Sequence, residues 1–135
     1  MTQEDKELLL KDLCARLPYG VKVEYNTIKC EVLSIDKYNE ELTIRVCPGY
    51  TPIVKLENIK PYLLPLSSMT EEIMDEIYAT TGVYDISIDS SVHIEAGTTF
   101  EDLTKIFDIL HKHHIDYRGL IPMGLANDAT GLNIY

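Results

Sequence analysis

The sequence predicts an α+β protein. An N-terminal helix leads into a small SH3-like antiparallel β-barrel over residues 1–66. An acidic helix–strand–helix extension over residues 67–135 packs on it, making one compact unit. Three observations predict this. Apolar residues recur at helical spacing near the start, alternate with polar ones from Val21 onward, and return to helical spacing after residue 70. Clusters of Gly, Pro, Asn and Asp cut the alternating stretch into short pieces. Charge divides unevenly: residues 1–66 hold nine Lys and Arg against ten Asp and Glu, whereas residues 67–135 hold Lys105, Lys112 and Arg118 against twelve acids.

The first helix is predicted over residues 2–17. Thr2 and Asp5 have the spacing of a capping box, in which hydroxyl and carboxylate satisfy free amides of the first turn. Leu9, Leu10, Leu13, Cys14 and Leu17 share one arc of the wheel, and Pro18-Tyr19-Gly20 ends it. Val21, Val23 and Tyr25 then alternate with Lys22 and Glu24, and Ile28, Cys30 and Val32 with Lys29 and Glu31. After the polar turn "DKYNE", Leu42, Ile44 and Val46 alternate in turn. "CPGYTP" breaks the run, and "IVKLENIKPYLLP" supplies one more strand, a tight turn at Glu57-Asn58 and a last strand. Pro61 and Pro65 assign that last strand to an edge. Short strands so close together must hide their edges, which is the reason to expect a closed barrel.

In the second half, Ser68 and Glu71 have capping-box spacing before a helix to about Thr80, with Gly82 as its left-handed stop. "VYDISIDSSVHIEAG" alternates as a hairpin turning at Asp89-Ser90-Ser91. Thr98 or Thr99 caps a third helix whose apolar stripe is Phe100, Leu103, Phe107 and Leu110, with His114 within it and His111 at its border. The last stretch carries Leu120, Ile121, Met123, Leu125, Leu132, Ile134 and Tyr135. It is too apolar for a free tail, so docking on the body or on a second copy is expected.

Composition excludes several classes. With 45% apolar and 25% charged residues in 135, the chain belongs with globular proteins rather than disordered ones. No apolar run reaches the roughly 20 residues that span a bilayer. The start, "MTQEDKELLL", has no basic n-region, so a cytoplasmic protein is expected. Cys14, Cys30 and Cys47 are odd in number and form no CxxC, which argues against a disulfide framework and suits a reducing compartment. A net charge of -10 has the wrong sign for a duplex-binding protein. Phosphate-cradle and nucleophile-elbow motifs are absent, and no cofactor is expected.

The candidate sites are few. His111, His113 and His114 crowd the end of the third helix. His111 and His114, three apart, could share a metal with Asp116, with His93 or with another acid, but no HExxH or cysteine pair supports such a set. The simpler reading is a hydrogen-bonded His114 at the core edge, with His111 and His113 favoured as cations by the helix C-terminus. Arg118, in the Asp116-Tyr117-Arg118 triplet, reads as a clamp on a carboxylate or on carbonyls. Tyr38 and Tyr50 fall in loops of the strand-rich half, where aromatic side chains are available for recognition. Glu71, Glu72, Asp75 and Glu76 put four acids at the start of the second helix, where the simpler reading of the acidic half is a solvated face that maintains solubility.

Three stretches, "LLLKDLCARLPYGVKV", "LENIKPYLLPLSSMTEE" and "HKHHIDYRGLIPMGLA", together resemble a family of small uncharacterised proteins of gut Bacteroidales, their phages and mobile elements. The resemblance implies a bacterial or phage accessory protein and assigns no activity or functional residue.

The expected function is that of a non-catalytic protein-interaction module. Its partner is a basic protein or peptide meeting the acidic helix or the tyrosines. Nucleic acid and membrane are not expected partners, and the C-terminal segment offers a route to a homo-oligomer. Two alternatives stand beside it. One is a small metal-dependent or hydrolytic enzyme using His111, His114 and Asp116. The other is a nucleic-acid mimic acting on a DNA-binding host protein.

Overall fold

A computed structural model describes residues 1–83 and 98–135, together with the backbone of residues 86–88 and 92–94. Helix α1 (Gln3–Arg16) opens with the expected capping box: Asp5 N–H donates to Thr2 Oγ1, and Thr2 N–H to Asp5 Oδ2, each at 3.1 Å. A 3-10 turn (Leu17–Tyr19) and left-handed Gly20 end it. Strands β1 (Lys22–Tyr25) and β2 (Ile28–Asp36) follow, joined through Asn26 and Thr27 at φ +48° and +65°. A two-residue hairpin needs positive φ there, and branched Thr27 adopts it under strain. Then come β3 (Glu41–Arg45), β4 (Ile53–Lys55), a 3-10 turn (Leu56–Asn58) and β5 (Ile59–Leu63).

Helix α2 (Glu71–Thr81) is capped by Thr70, whose hydroxyl accepts from Ile73 N–H, not by Ser68. A 3-10 turn (Leu66–Ser68) takes up the chain where the expected cap would stand. Gly82 at φ +75° stops the helix, its N–H reaching Tyr78 O at 2.7 Å. Strands β6 (Ile86–Ile88) and β7 (Val92–Ile94) form the expected hairpin. Its turn at residues 89–91, its side-chain alternation and the ring of His93 lie outside the described residues. Helix α3 (Phe100–Lys112) is capped by Thr99. The chain ends in turns around β8 (Asn127–Asp128).

The main sheet runs β4-β3-β2-β1-β5-β8, antiparallel except for the parallel β5–β8 pair. It does not close: β4 and β8 are its two ends, so the expected closed barrel is replaced by an open sheet. The far side of β5, where closure would join, is taken by β8, which pairs with Tyr62 and Leu63. For the same reason β5 is not an edge. Pro61, opposite Val23 of β1, stands just ahead of the β8 ladder, so its missing N–H breaks nothing there.

Two apolar clusters result. Leu9 and Leu13 of α1 close one side of the sheet with Val23, Leu42, Ile44 and Leu63, joined by Leu120, Leu125 and Ala126 from the tail. Ile73 and Ile77 of α2 pack on Ile106, Ile109 and Leu110 of α3, with Leu66 and Ile115. The buried side of α3 is therefore rotated from the expected stripe, and Phe100 stands 86% exposed at its first position. The tail docks on its own chain.

Candidate functional site

The polar seam where α1, α3 and the tail meet begins on α1. Asp12 and Arg16 stand one turn apart and both are fully buried. Arg16 grips the carboxylate with both prongs, Nε to Oδ2 at 2.8 Å and Nη2 to Oδ1 at 3.1 Å, and Nη2 also donates to Ile115 O at 2.7 Å. Arg118 Nε donates to the same Asp12 Oδ1 at 3.1 Å. Arg118 is thus the carboxylate clamp the sequence suggests. Its target, 106 residues away in the chain, had to come from the fold. The Tyr117 ring lies 5.7 Å from one guanidinium carbon and 4.9 Å from the other, within cation–π reach. Buried charges persist only when paired: both arginines meet the Asp12 carboxylate and so tie the tail to α1, while Arg16 Nη1 has no hydrogen-bond partner among the described residues.

The histidines part company. His111 Nε2 lies 2.6 Å from Tyr117 Oη, and burial, helped by Arg16, lowers its pKa. The expected cationic His111 is corrected accordingly: desolvation, with Arg16 and Arg118, outweighs the carboxylates of Asp12 and Asp108. His113 Nε2 donates to Glu76 Oε2 at 2.6 Å. The hydrogen bonds from Lys112 and His113 hold the Glu76 carboxyl below its ordinary range. His114 lies past the helix end at φ +58°, 3% exposed, its ring stacked on Tyr135 at 3.6 Å and 11°. A hydrogen bond to the Tyr19 backbone favours its protonation, but burial and Arg16 prevail and push its pKa down to about 4. Its Nδ1 finds no hydrogen-bond partner among the described residues.

Asp116 completes the picture. Its Oδ1 accepts from Leu120 N–H and its Oδ2 from Ile121 N–H, each at 2.9 Å, so the carboxylate organises the turn that follows. His111, His114 and Asp116 therefore face three separate tasks. No group of three or more His, Cys, Asp or Glu among the described residues is placed to hold a metal ion. The Asp12–Arg16 pair, which the sequence reading passed over, had a signal. Arg16 falls three residues after Leu13 and seven after Leu9, a charge on the apolar arc with an acid one turn before it.

No family model, curated protein or solved structure matches this chain. Function rests on the chemistry of its own residues.

The surface offers what the seam does not. Tyr38 is 99% exposed, held out by a turn in which Asp36 accepts from the N–H groups of Tyr38 and Asn39. Tyr50 is half-exposed. The two loops lie at opposite ends of β3, so the tyrosines do not form one aromatic patch. On α2, Glu71, Glu72 and Asp75 are exposed, and no cation among the described residues pairs with them. Glu76 is drawn into its bonds with Lys112 and His113. Among the described residues no helix is long and apolar enough to cross a membrane.

Proposed function

We propose that this chain is a non-catalytic interaction module whose acidic α2 face docks a basic protein or peptide, in the bacterial or phage accessory setting that the resemblance implies. One observation carries the reading. All three Lys and Arg of residues 67–135 are engaged: Lys105 with Glu101, Lys112 with Glu76, and Arg118 with Asp12 from the other half of the chain. The carboxylates of Glu71, Glu72 and Asp75 thus have no countercharge from the second half's own cations. A concentrated negative surface of this kind steers and orients a cationic partner.

The same reading accounts for the sheet. The consecutive antiparallel run β4-β3-β2-β1 and the return of β5 to β1 support an SH3-like arrangement left open, a scaffold from which Tyr38 provides a second contact.

The test is binding of a lysine-rich peptide at several ionic strengths. We expect affinity to fall as salt rises. We also expect Glu71→Gln/Glu72→Gln/Asp75→Asn to weaken binding at low salt and flatten the salt dependence. Binding indifferent to both salt and the triple substitution refutes the assignment.

A further inference from the structure

A cleft of about 310 Å³ opens between the chain leaving β5 and the tail turn, with Pro65 and Leu66 on one side, Ile121 and Pro122 on the other, and Ser67 at its rim. Its size falls at the lower end of the range for ligand sites. Asp116 contributes to the lining, but both carboxylate oxygens are taken by backbone N–H groups of the tail turn. The cleft therefore presents apolar walls and no uncommitted hydrogen-bonding group from Asp116.

Position links this cleft to the acidic helix. Ser67 precedes the Thr70 cap by three residues, and Glu71 and Glu72 occupy the first turn after it. Leu66 packs in the same cluster as Ile73 and Ile77 of α2, so the cleft lies against the start of that helix. An apolar recess whose rim residue Ser67 is followed four and five residues later by the exposed Glu71 and Glu72 complements a bulky apolar side chain flanked by cations. Charge alone would attract any basic chain, whereas the recess selects among them.

We infer that the partner docks by seating one large aliphatic or aromatic side chain between Pro65-Leu66 and Ile121-Pro122, with neighbouring Lys or Arg residues on Glu71 and Glu72. This rests on the docking function proposed above and names the partner's chemistry: a basic peptide segment with a single apolar anchor.

Two capped lysine peptides test it, one with a central leucine and one with alanine in its place, titrated against the full chain at low salt by calorimetry. The leucine peptide is expected to bind at least about tenfold tighter, the effect of burying one such side chain. Ser67→Trp, made at an exposed position, fills the recess. It is expected to bring the leucine peptide down to the level of the alanine peptide while leaving the latter unchanged. Equal binding of the two peptides to the native chain overturns the anchor and leaves the acidic docking face standing. Failure of both to bind at low salt overturns the docking face and the anchor with it. The comparison on the native chain decides the matter even if the tryptophan variant does not fold.

Discussion

Lowering the pH should destabilise this protein through His114, and the size of the effect follows from where its ring lies. The imidazole is 3% exposed, covered by Tyr135 and within the field of Arg16, and its pKa is pushed down from 6.5 to about 4. The folded chain thus refuses a proton that the unfolded chain accepts once the pH drops below about 6.5. Stability is fully present above that value, declines between about 6.5 and 4, and levels off below. A displacement of roughly 2.5 in pKa corresponds to about 3 kcal/mol at the acid limit. The perturbation is His114→Asn, which removes the titration and suits the left-handed backbone at φ +58°. The assay is urea unfolding of both chains from pH 7.5 to 4. Carboxylates titrate alike in the two, so their difference isolates the imidazole. The native chain should lose about 3 kcal/mol relative to the variant over this range. A difference that stays flat refutes the buried, neutral ring.

Two further outcomes concern the seam and the strained hairpin. Asp12→Leu leaves the guanidinium of Arg16 buried without its carboxylate, so unfolding should show a loss of about 3–5 kcal/mol. Asp12→Leu/Arg16→Leu should cost less than the single change, and a strictly additive double variant would show that the pair is not coupled. Thr27→Gly should raise stability by about 1 kcal/mol in chemical denaturation, because glycine adopts φ +65° without the clash of a branched side chain. A drop in the midpoint would mean that the Thr27 hydroxyl bond to Asn26 O at 2.6 Å outweighs the strain.

What was legible in the sequence was local. Thr2 with Asp5, Thr99 before Phe100 and Gly82 after Thr81 act through neighbours three or four residues away, and each stands where the spacing places it. The alternation from Val21 gave strands because period two depends only on the chain itself. Whatever depended on distant partners was not legible. Barrel closure failed because β8, more than sixty residues beyond β5, takes the position where closure would occur, and two residues of Asn-Asp carry no strand signal. Ser68 lost the capping role to Thr70 because the chain first makes a 3-10 turn anchored by buried Leu66. The separate surroundings of the three histidines were not legible from their adjacency in sequence. Helix α3 ends at Lys112 and the backbone reverses at His114, so a wheel drawn through all three rings describes a helix that has already stopped.

Among the described residues, the titratable groups of the seam are engaged in fastening the tail. Acid–base chemistry needs titratable groups that converge on a space a substrate can enter. Here Asp12, Arg16, Asp116 and His114 are buried and committed to fastening the tail. His111 answers Tyr117. That fastening has an electrostatic consequence outside the seam. Arg118 gives its charge to an acid of the first half, which leaves residues 67–135 more negative at their surface than their own pairing would make them. Among the described residues no cation pairs with Glu71, Glu72 or Asp75, so their neutralisation falls to solvent ions or, on the proposal above, to a partner. Ions exchange freely with their concentration in solution, whereas a partner's cations can be placed by shape. The cleft lined by Pro65, Leu66, Ile121 and Pro122 is the shape we propose for that placement.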